Sequence, residues 1–123
     1  MKYIKIFEHW DREAHNRLAK MGLVKSIEEY EEELRNNSDT DIPPEILAEL
    51  AKVDDPYIKR AVAKNLNTPV ETLDMLANDD YWGVRSNVAW NPNTSTRVLI
   101  RLTNDEETIV SMPAIDNLNL RNK

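Results

Sequence analysis

The chain has 123 residues, 22 acidic and 16 basic, a formal charge of −6 and no cysteine. That length sets the expectation of one domain with a core large enough to fold alone, and the negative charge opposes phosphate backbones and anionic lipid unless a local basic patch intervenes. The missing thiol removes disulfides, cysteine nucleophiles, zinc ribbons and thiolate-held clusters; with no apolar run of roughly 20 residues to span a bilayer, a cytoplasmic location is expected.

Residues 1–41 read as an N-terminal helical hairpin. Tyr3, Phe7, Trp10, Ala14, Leu18 and Met21 recur three or four apart, which places them on one face of a helix that Gly22 can end in the left-handed conformation. Ser26, followed three residues later by Glu29, predicts a capping box opening a second helix with Ile27, Tyr30 and Leu34 inward. Glu28, Glu29, Glu31, Glu32 and Glu33 then form a solvated acidic face near the positive end of the helix dipole. His9/Glu13 and Asp11/His15 are i,i+4 pairs that a divalent metal could bridge, but they lie on different faces of the helix. They are read as charge pairing, and neither a metal nor a cofactor is expected. Residues 36–41 form a polar linker.

From residue 42 the chain repeats every 26 residues. Asn65-Leu66-Asn67-Thr68 returns as Asn91-Pro92-Asn93-Thr94 and, worn, as Asn117-Leu118-Asn119-Leu120, and the same spacing relates Leu47/Leu50, Leu73/Leu76 and Leu99/Leu102. Each unit predicts two short helices. Thr68-Pro69-Val70-Glu71 opens the first with a threonine cap, replaced by Asp41 or Ile42 in the first unit and kept in the third, where Thr94-Ser95-Thr96-Arg97 loses the glutamate. Acidic turns follow at Asp54-Asp55, Asp79-Asp80 and Asp105-Glu106. The second helix carries Ile58, Val62 and Ala63, matched by Val84, Val88 and Ala89. Asparagine, tolerant of positive φ, is expected to end it, with threonine capping the next helix. In the third unit Ser111 replaces the basic residue of Lys59 and Arg85, and Pro113 is expected to leave the last helix shortened or irregular, making a terminal cap. One unit buries too few large side chains to offset the entropy of ordering it, so the units must stack.

The run Leu73-Asp74-Met75-Leu76-Ala77-Asn78-Asp79-Asp80, with Val84-Arg85, Val88-Ala89 and Asn91-Pro92-Asn93-Thr94, resembles the variant leucine-rich repeat, a HEAT-like helical repeat, over roughly residues 42–120. The resemblance implies a short right-handed solenoid of three units, each pairing an α-helix with a 3₁₀-helix. The expected fold is thus an all-α array in residues 42–123 capped by the hairpin, one compact body overall.

No glycine-flanked serine, no phosphate-binding glycine loop and only two histidines make an enzyme unexpected. A stripe of Lys59, Arg60, Lys64 and Arg85, joined by Arg97 and Arg101, invites a nucleic-acid reading. The recurring aspartates one turn earlier favour instead an acid–base ladder between units. Trp90 is the outstanding residue: its equivalents are Lys64 and Asp116, so the position faces solvent, and an exposed tryptophan is a frequent binding anchor. Tyr81 and Trp82 share its unit, with Trp82 expected to pack down onto the neighbouring repeat, and Tyr57, Lys64 and Asp116 flank it. The expected function is a non-enzymatic protein-binding scaffold, adaptor or small acidic inhibitor, with nucleic-acid binding through the basic stripe as the alternative.

Overall fold

Eight α-helices and no strand make up residues 11–122, the part of the chain that the computed structural model describes. They are α1 (Arg12–Lys20), α2 (Ile27–Asn36), α3 (Pro44–Leu50), α4 (Pro56–Lys64), α5 (Val70–Leu76), α6 (Trp82–Trp90), α7 (Thr96–Leu102) and α8 (Thr108–Arg121). Tyr3, Phe7, Trp10 and His9 lie outside the described residues. Among those described, no helix is long and apolar enough to cross a membrane.

The hairpin follows local chemistry closely. Gly22 has φ 74°, the Gly22 N–H bonds to Ala19 and the Leu23 N–H to Leu18, so α1 ends in a Schellman motif that needs glycine at this point. Ser26 accepts from the Glu29 N–H at 3.1 Å and opens α2, whose Ile27, Tyr30 and Leu34 are all buried. Met21 departs from the expected apolar face: it falls in the turn after α1 and is exposed. His15 takes the inward place instead, its Nε2 donating to the Lys25 carbonyl at 2.7 Å, and this clamps the two arms of the hairpin.

The helices α2, α4, α6 and α8 pack in succession, each on the next, while α3, α5 and α7 lie against their chain neighbours. That arrangement is compatible with a repeat. One apolar core runs through it, from Ile27 to Ala114, and the 26-residue spacing is kept inside it by Leu47, Leu73 and Leu99 and by Ile58, Val84 and Val110. The third unit is therefore less decayed than its sequence suggests.

Three expectations are corrected. Both helices of each unit are α-helical, not α paired with 3₁₀; i→i+3 bonds occur at their ends, as from the Ile46 N–H to Pro43 and the Val84 N–H to Tyr81. Asn65 and Asn91 end their helices with φ of −69° and −70°, so tolerance of positive φ is not why asparagine stands there. Thr68 and Thr94 do not cap the helices ahead of them. Their hydroxyls donate backward to the Val62 and Val88 carbonyls at 2.6 and 2.7 Å, adding a second bond to carbonyls that also accept from the Asn65 and Asn91 N–H groups at the ends of α4 and α6. The N-caps of α3 and α5 are Pro43 and Pro69, without a side-chain bond, and Ser95 caps α7 by accepting from the Val98 N–H.

Pro113 does not shorten α8, which at 14 residues is the longest described helix. A proline at this position denies the Ile109 carbonyl its usual i+4 donor. Ser86 supplies the replacement: its Oγ donates to that carbonyl at 2.9 Å from the neighbouring α6. Ser86→Ala removes that donor in a part-buried setting, and a loss of about 1 kcal/mol, or roughly 4 °C in Tm, is expected. A Tm unchanged in Ser86→Ala refutes this role.

Candidate functional site

Two ladders of polar side chains position the surface, and both repeat with the chain. In the first, Asn65 Nδ2 donates to the carbonyls of Ser38 and Thr40, Asn91 Nδ2 to those of Ala63 and Asn65, and Asn117 Nδ2 to those of Ala89 and Asn91, at 2.8–3.1 Å. Each amide reaches back one unit and is buried there, with its oxygen in the first two cases accepting from the N–H two residues on. Buried donors and acceptors that satisfy one another across an interface fix its register, because any slip strands them.

The second ladder is ionic. Arg35 meets Asp55 at 2.6 Å, Lys59 meets Asp79 at 2.7 Å and Arg85 meets Asp105 at 2.8 Å. The expected ladder exists, but each cation pairs with the carboxylate of the unit after it and not with the aspartates one turn before. The reason lies in the aspartates, which hold two roles at once: Oδ1 accepts from the backbone N–H two residues on, at Tyr57, Tyr81 and Glu107, leaving the other oxygen to face the preceding cation. Arg85 touches its own turn only through the Asp79 and Asp80 carbonyls. The Arg35 hydrogen bond holds the Asp55 carboxyl below its ordinary range, with the N–H groups of Tyr57 and Ile58 assisting. For Asp105, burial pushes upward, yet Arg85 and the Glu107 N–H outweigh it and the net shift is down. The hydrogen bonds to Asp79 and Asp105 raise Lys59 and Arg85 in turn.

This divides the basic stripe. Lys59 and Arg85 are largely buried in their ion pairs, with side chains 21% and 14% exposed. Arg60 and Lys64 have no carboxylate partner among the described residues, and the Arg60 guanidinium lies over the Tyr81 ring at 5.9 Å. Arg97 only approaches Asp74, at 3.7 Å, and Arg101 borders a cleft with Asp79, Asp80 and Asp105.

The aromatic residues fall into two groups. Tyr57, 71% exposed, stands with Arg60 and Lys64 along a groove between α2, α4 and α6, and Tyr81 closes an apolar notch beside it with Pro56. Gly83 permits this: a Cβ there would lie 2.7 Å from Tyr81 Cε2, so any side chain would push the tyrosine ring off α6. Trp82 tilts against Tyr81 with ring centroids 5.3 Å apart but remains 41% exposed, less packed down than expected. Trp90 lines neither cavity. It projects from the last position of α6, 61% exposed, where α4 carries exposed Lys64 and α8 exposed Asp116.

No cluster of three or more potential metal ligands occurs among the described residues. Asp11, one of the residues considered for a metal, is the N-cap of α1 and accepts from the Glu13 N–H. Sequence reasoning missed Arg35 and Asn87. Arg35 precedes Asp55 by 20 residues, as Lys59 precedes Asp79 and Arg85 precedes Asp105, so a constant spacing could have revealed it. Asn87 donates to the Arg60 carbonyl at 2.9 Å and sets the floor of the groove.

Comparison of the chain with protein-family models, with curated proteins and with solved structures finds no match.

Proposed function

We propose that this chain is a non-enzymatic, cytoplasmic protein-binding module, an adaptor or small acidic inhibitor, built as a short right-handed solenoid of the variant leucine-rich type and needing no cofactor. The solenoid reading is supported by the two ladders, which tie each unit to the next through equivalent residues. The functional reading is carried by Trp90. A tryptophan 61% exposed, at a position where the neighbouring units place Lys64 and Asp116, contributes little to the core and offers a large amphipathic ring to a partner. The nucleic-acid reading is weakened because two of its four cations, Lys59 and Arg85, are spent on the ladder.

The test is affinity capture with nuclease treatment on parent and Trp90→Ala baits, read by quantitative mass spectrometry. Trp90→Ala should leave Tm within about 2 °C, as for an exposed side chain, while lowering recovery of the retained protein by tenfold or more, as for an interface anchor. Equal recovery on both baits, or material that disappears with nuclease, overturns the reading.

A further inference from the structure

The groove between α2, α4 and α6 encloses 520 Å³ and has a charge opposite to that of the molecule. Acids outnumber bases 22 to 16 in the chain, yet no described residue lining the groove is acidic, and Arg35, Arg60 and Lys64 all border it. Arg35 is already neutralised by Asp55. Arg60 is not: its Nε is buried without an acceptor, and its guanidinium is held between the groove and the Tyr81 ring with no counter-ion. One nitrogen of this partly exposed guanidinium is buried without an acceptor and no described carboxylate neutralises it, so an anion entering the groove meets an unpaired cation with which it can form charge-assisted hydrogen bonds. The apolar notch of 240 Å³ formed by Pro56, Tyr57, Arg60 and Tyr81 opens beside it and shares Tyr57 and Arg60 with the groove.

We infer that this composite site takes an acidic peptide segment of the partner protein, with an apolar side chain seated between Tyr57 and Tyr81 and flanking carboxylates on Arg60 and Lys64. The inference rests on the protein-binding reading and names the partner's chemistry. A polynucleotide fits less well, because the cationic track does not continue: 26 and 52 residues beyond Arg60 and Lys64 stand Ser86 and Trp90, then Met112 and Asp116. Two unpaired cations release few counterions, and a strand needs charge repeated along its length.

The probe is a fluorescein-labelled peptide of one phenylalanine flanked on each side by Glu-Asp-Glu, followed by fluorescence anisotropy. Its comparators are the same peptide with alanine at the centre, one with Lys-Arg-Lys flanks, and a single-stranded oligonucleotide of about 12 bases, a length within single-strand site sizes. Saturable binding is expected for the acidic phenylalanine peptide, weakened about tenfold by Lys64→Glu, by Tyr57→Ala and by raising salt from ~50 to ~300 mM. Lys64 and Tyr57 are exposed, so both variants should melt with the parent. Affinity unchanged in Lys64→Glu, equal binding of the basic peptide, or tighter binding of the oligonucleotide overturns the inference. If the acidic peptide fails while Trp90-dependent capture persists, the groove assignment alone is wrong; if capture ignores Trp90, the protein-binding reading falls first.

Discussion

Asn91→Asp should lower stability by about 3 kcal/mol, seen as a drop of roughly 10 °C in Tm. The substitution preserves shape and removes both donors of a side chain that is 2% exposed, leaving the Ala63 and Asn65 carbonyls facing a carboxylate oxygen. Each deserted buried acceptor costs about 1–3 kcal/mol, and the repulsion adds to that or raises the new carboxyl's pKa until it protonates. Asn93→Ala is the control. Asn93 is exposed and donates to Leu66, so its loss should cost under about 1 kcal/mol. Comparable melting of the two variants would show that the buried amide is not what holds neighbouring units in register.

Arg85→Met should cost about 2–3 kcal/mol, and Arg85→Lys should recover less than half of it. The guanidinium reaches Asp105 with two nitrogens, at 2.8 and 3.2 Å, and Nη1 also donates to the Asp79 and Asp80 carbonyls. A lysine ammonium is a single point and does not reproduce that fork. The pH dependence follows from the carboxylates. The folded-state carboxyls of Asp55 and Asp105 titrate lower than those of the unfolded chain, so on acidification the unfolded state takes up protons first. Their contribution is complete above about pH 5 and is lost as pH falls below about 4, through the folded values. The difference in stability between parent and Arg85→Met should therefore narrow on acidification, measured by urea unfolding at a series of pH values. A difference independent of pH between about 3 and 7 would mean that the Arg85–Asp105 ion pair contributes nothing.

Much of the molecule is legible in its sequence. The buried faces of α2 to α7 were readable because apolar spacing, proline placement and caps act within a turn or two of chain. The errors came where a residue's partner lies one unit away. Asn91 invites a local backbone role, but its amide is spent on residues 26 and 28 positions earlier. By local rules Pro113 shortens its helix or makes it irregular; the Ser86 hydroxyl, 23 residues before the carbonyl it reaches, replaces the missing hydrogen bond. For Lys59 and Arg85 the ladder is expected from the recurring aspartates, but which aspartate each meets, and that Arg60 and Lys64 face a groove instead, depends on contacts between units.

What the sequence by itself determined was the all-helical composition, the 26-residue period, the apolar inward residues of α2 to α7 and the outward position of Trp90, since all of these follow from helical geometry and from contacts close along the chain. Only the tertiary structure decided which carbonyls the asparagines reach, which carboxylate each cation meets, and that Arg60 is left without one beside Tyr57 and Tyr81. Those outcomes depend on the distance and rotation between packed helices, and a shift of an ångström or two there exchanges one hydrogen-bond partner for another while leaving every local preference satisfied.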